Sequence, residues 1–110
     1  MVLSWKAYLR AGDEGGGRKL LFRIEERLGS PIALGEFGRD DEDTGLYRCT
    51  FTTGLDAESE DALCSALTAA GRLAPAWEVG GLPPSGPLWG VAAKGIVVSG
   101  VTWLHFSVGE

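Results

Sequence analysis

Residues 40–43 read Asp-Asp-Glu-Asp, followed by Thr44 and Gly45. A run of carboxylates can ligate a hard cation through oxygen, or it can dock on a cationic surface. The first option has a spacing test. A twelve-residue calcium loop needs oxygen ligands at places 1, 3 and 5, glycine at 6 and a bidentate glutamate at 12. With Gly45 at the sixth place, Asp40, Glu42 and Thr44 fall on the first three, but the last is Phe51. The loop is not an EF-hand. A turn needs only one or two polar residues and a glycine, and adjacent like charges oppose a compact state. A basic partner would relieve that repulsion and speed encounter. Asp40, Asp41, Glu42 and Asp43 are therefore read as a partner-binding finger.

His105 is the sole histidine and so the one side chain whose ordinary titration lies near neutral pH. In TWLHFSV it alternates with Leu104 and Phe106 and shares a face with Trp103 and Ser107. A hydrolytic His–Ser pair would also need an orienting acid and an oxyanion donor, and the chain has no nucleophile-elbow motif. No enzymatic activity is expected. Tyr8 and Arg10 occupy the outward phase of the first segment, and together with Arg48 and Trp103 they would make an aromatic, basic face. Such a face could hold a ligand, a protein or the mate of a homodimer. LYRCTFTT lacks the aromatic pattern of an RNA-binding sheet. The triplet Gly15–Gly17 lacks the lysine and hydroxyl of a phosphate loop, and Asp13 and Glu14 beside it would repel phosphate. It reads as part of a flexible loop, AGDEGGG. Cys49 and Cys64, with no CxxC pair and one histidine, are too few for a zinc site. No cofactor is expected.

The finger and the aromatic face must be held by something. At 110 residues, 45% apolar and 23% charged, the chain suits one folded domain spanning 1–110. Its net charge of −5 argues against nucleic acid as a partner, because phosphate binding needs a basic surface. Residues 36–61 hold nine acids against two bases, so the acidity belongs to the middle of the chain. No apolar run approaches the ~20 residues of a membrane span, and MVLSWKAYLR is not a signal peptide. A cytoplasmic protein is expected, and seven arginines against three lysines suggest a GC-rich bacterium.

LSWKAYLR alternates with period two, which makes residues 3–10 a half-buried strand. RKLLFRIEERLG carries Leu20, Leu21, Ile24 and Leu28 at helical spacing and ends at Gly29. IALGEFG and LYRCTFTT flank the acidic run as a hairpin. Asp56 is read as the N-cap of a helix over about 57–70, with Leu63, Leu67 and Ala70 buried and Gly71 its stop. AWEV, LWGVAA and IVVSGVTWLHFSV are strand candidates, with Gly100 a bulge or turn. Trp5 has the phase of a core residue. The order predicts an α+β two-layer sandwich: an antiparallel sheet with two helices on one face, in the ferredoxin-like order β-α-β-β-α-β, plus extra C-terminal strands. The functional expectation is a small acidic bacterial protein-binding protein, of the immunity or inhibitor kind, that neutralises a basic partner such as a toxin. The alternative is a ligand-binding or dimeric regulatory domain that uses the open sheet face.

Overall fold

The computed structural model describes residues 2–43, 45–55, 59–81 and 87–109, with backbone alone at 59–61. The elements are β1 (Val2–Arg10), α1 (Glu14–Leu28), β2 (Ala33–Arg39), β3 (Leu46–Gly54), α2 (Ser59–Leu73), β4 (Glu78–Gly80), β5 (Trp89–Ala92) and β6 (Val101–Gly109). The strands form one sheet in the order β2-β3-β1-β6-β5-β4, with every neighbouring pair antiparallel. The architecture is thus α+β. The sixth element does not take the place beside β1. β4 has only three residues and lies at the edge, whereas β6 brings Leu104, Phe106 and Val108 to the core and pairs with β1 along its length.

Alternation puts Leu3, Trp5, Ala7 and Leu9 of β1 on the buried face, with Tyr47, Cys49 and Phe51 of β3 and Phe106 of β6 beside them. Trp5 is the centre of this layer. Its ring stacks on Phe51 at 5.9 Å and meets Phe106 at 5.7 Å. Its Nε1–H donates to Thr53 Oγ1 at 3.2 Å, which satisfies a donor that burial would otherwise leave orphaned. Leu20, Leu21, Ile24 and Leu28 of α1 and Ala66, Ala70 and Leu73 of α2 complete the core.

Four further expectations are corrected by this structure. The glycine triplet is not loop. Asp13 caps α1 by accepting from Gly16 N at 2.7 Å, and that cap offsets the low helix propensity of glycine. Gly17 lets the Phe37 ring approach closely, since a Cβ would come within 2.8 Å of the ring's far end and push it aside.

The stripe of α2 is also displaced. Ala70 is buried as expected, together with Ala62, Ala66 and Leu73, while Leu63 is half-buried and Leu67 is 43% exposed. Gly71 does not stop the helix, which runs to Leu73; Pro75 follows, and Trp77 Nε1–H donates to the Ala70 and Ala74 carbonyls at 2.9 and 3.0 Å. Asp56 lies outside the described residues.

Residues 96–100 are turn rather than strand. Val97 N bonds to Leu73 O at 2.8 Å, tying the segment to the end of α2, and Gly100 turns it at φ 99°. A bulge at Tyr8/Leu9 then places Val101, not Thr102, against the core.

Candidate functional site

The acidic run forms the tip between β2 and β3, and two of its four acids are used by the tip itself. Asp40 Oδ2 accepts from Glu42 N at 3.3 Å and Asp43 N at 3.1 Å, while its Oδ1 lies 3.5 Å from Arg48 Nε. Asp43 Oδ1 accepts from Gly45 N at 2.9 Å, and its Oδ2 meets Arg10 Nη2 at 3.2 Å. The Gly45 amide, followed by the Arg10 guanidinium, holds the Asp43 carboxyl below the usual carboxylate range. Asp41 and Glu42 are exposed, with no ion pair among the described residues. Of the four carboxylates, Asp41 and Glu42 are thus the two without an ion pair among the described residues, while Asp43 is half-exposed beside Arg10. The acids at 56–61 lie outside the described side chains. Among the described residues no group of three or more His, Cys, Asp or Glu could hold a metal ion.

The other expected site is assembled by register. Tyr8 stands opposite Arg48 on β3 and opposite Trp103 on β6. All three lie on the sheet face that the core does not use. The Tyr8 and Trp103 rings are 5.3 Å apart and tilted by 50°. Trp103 and His105 stack at 6.0 Å, within 10° of parallel. Tyr8, Trp103 and His105 thus form one half-buried row. Burial, and then the Lys6 charge beside it, hold the His105 imidazole below its ordinary pKa. Its neutral form is favoured.

Pattern reading did not assign three further members. Lys6 is in register with Thr50 and His105. Val91 pairs with His105, and Trp89 pairs with Ser107, so β5 extends the row. Trp89 lies over Gly80, where any Cβ would collide with the indole. The alternation of LSWKAYLR already puts Lys6 on the outward face with Tyr8 and Arg10, without marking it as a member of the site. Trp89 needed the pairing of β5 with β6, which no local pattern reveals. The tip adjoins this face, because Arg10 and Arg48 leave it to reach Asp43 and Asp40.

The cysteines do not pair. Cys49 is buried and Cys64 exposed, and burial pushes the Cys49 thiol up to about 12. Comparison with family models, with curated proteins and with solved structures found no match.

Proposed function

We propose that this chain is a binding module without catalytic activity, which engages another protein through the uncovered sheet face, with Tyr8, Trp103 and His105 as anchors. The observation that carries the reading is the continuous half-buried row Tyr8–Trp103–His105 on the face opposite the helices. Rigid aromatic side chains in one patch are the usual energetic centre of an interface. Asp41 and Glu42 sit at the rim and steer a basic partner. In this reading the protein is a small cytoplasmic bacterial inhibitor or immunity protein, and its target is a basic protein such as a toxin. The frame is a ferredoxin-like split βαβ in which β6 fills the fourth strand's place and the β4–β5 pair extends the sheet.

The test is capture from the native host by the folded wild-type protein and by three variants. Trp103→Ser should abolish capture of the partner. Asp41→Asn with Glu42→Gln should slow association several-fold at low salt and have little effect at high salt, where charges further apart than about a Debye length are screened. Equal capture by Trp103→Ser and Tyr8→Ala variants sinks the reading. A wild-type homodimer that Trp103→Ser converts to monomer, with no other protein retained, replaces it by self-association.

A further inference from the structure

The aromatic row borders a small depression edged by Lys6. Arg10 and Arg48 lie 3.2 and 3.5 Å from Asp43 and Asp40, whereas Lys6 has no ion pair among the described residues. Lys6 stands between two hollows of the open face. One, of about 190 Å³, is walled by Lys6, Tyr8, Arg48, Thr50, Trp103 and Glu36. The other, of about 600 Å³, shares Lys6 and Thr50 and reaches His105. The smaller hollow lies over the seam of β1 and β3. It is below the roughly 300–1,000 Å³ of a drug-sized site, which suits one side chain or a small organic acid. Arg48 on its wall already faces Asp40, so Lys6 is the cation left to a ligand, with Glu36 the one acid of the lining, and the aromatic wall is the tilted Tyr8–Trp103 pair. Glu36 N already donates to Thr50 Oγ1 at 2.8 Å, which leaves the Thr50 hydroxyl hydrogen available to an acceptor.

We propose that this hollow binds a planar group bearing a carboxylate, with the charge on Lys6 and the plane against Tyr8 and Trp103. The inference rests on the open face being a docking surface and names the chemistry of its anchor. That chemistry has two sources, an aromatic residue at a partner's free C-terminus or a free aromatic acid.

The experiment is amide NMR of the intact chain titrated with phenylacetate, with phenethylamine as the cationic control. Shifts should centre on Lys6, Tyr8, Thr50 and Trp103, with a Kd on the order of millimolar for so few atoms. Phenethylamine should leave those amides unmoved. Lys6→Met should weaken phenylacetate at least about tenfold, the loss of a charge-assisted hydrogen bond. Lys6→Arg should retain it and Glu36→Gln should tighten it. Lys6 is exposed, so these variants keep the fold, which circular dichroism verifies. A peptide ending in phenylalanine with a free carboxylate, compared with its amide, separates the sources. Tighter binding of the free-ended peptide than of phenylacetate assigns a partner terminus, and the reverse assigns a free acid. Equal binding of phenethylamine, indifference to Lys6→Met, weakening by Glu36→Gln, or shifts confined to another surface overturns the proposal. Partner capture that Trp103→Ser abolishes, while phenylacetate fails, overturns this inference alone.

Discussion

Asp40 and Asp41 are neighbours with opposite assignments. Asp40 accepts two backbone N–H groups and faces Arg48, so Asp40→Ala should cost about 1–2 kcal/mol in urea unfolding. Asp41→Asn and Glu42→Gln should stay within about 0.5 kcal/mol, as surface changes do. The reverse ranking would mean that the tip is held differently. His105 supplies a pH dependence with a definite sign. Its folded pKa is lowered by burial and by Lys6, so the unfolded chain binds the extra proton more readily. The associated stability is present above the ordinary value near 6.5. It declines as pH falls through that value toward the folded pKa. The ring C–H resonances of His105 should titrate below 6.5 and move upward in Lys6→Met. An unchanged midpoint in that variant would remove Lys6 as a cause.

At the scale of elements, close approach decides which residues are replaceable. Gly90 of β5 faces the core where Phe106 already fills the space a Cβ would take. Gly90→Ala should therefore destabilise by about 1–3 kcal/mol, the ordinary cost of overpacking, measured as a lowered denaturation midpoint. Leu67→Gln should be nearly silent, because that side chain points outward from α2. The strands β1 and β3 were legible almost to the residue, since alternation of apolar and polar side chains directly encodes a sheet with one buried face. The alanine stripe of α2 was not. Ala70 was expected in it, but leucine outranks alanine in any hydrophobicity reading, so Leu63 and Leu67 stood where Ala62 and Ala66 are the buried positions. The start of α1 was missed for a related reason: three glycines argue against helix, and the cap at Asp13 that overrides them becomes persuasive only with Phe37 across from Gly17.

At the scale of the molecule, the sheet has a paired interior and two thin margins. β1 and β3 bond on both sides, while β2 is mostly exposed and β4 has three residues. Amide hydrogen exchange should be slowest in β1, β3 and β6 and fastest in β2 and β4. Protection of β2 equal to that of β1 would indicate a further strand bound at that edge. Of the candidate site, the members on β1 and β6 followed from alternation, but their meeting did not. Tyr8 and Trp103 are brought together by pairing between the two strands most distant along the chain, and a sequence carries no local mark of that. The same pairing governs how the protein is made. β1 is translated well ahead of β6 and waits for it before its second edge is covered. Until that pairing forms, β1 presents an open edge, a ready template for another chain and so for aggregation.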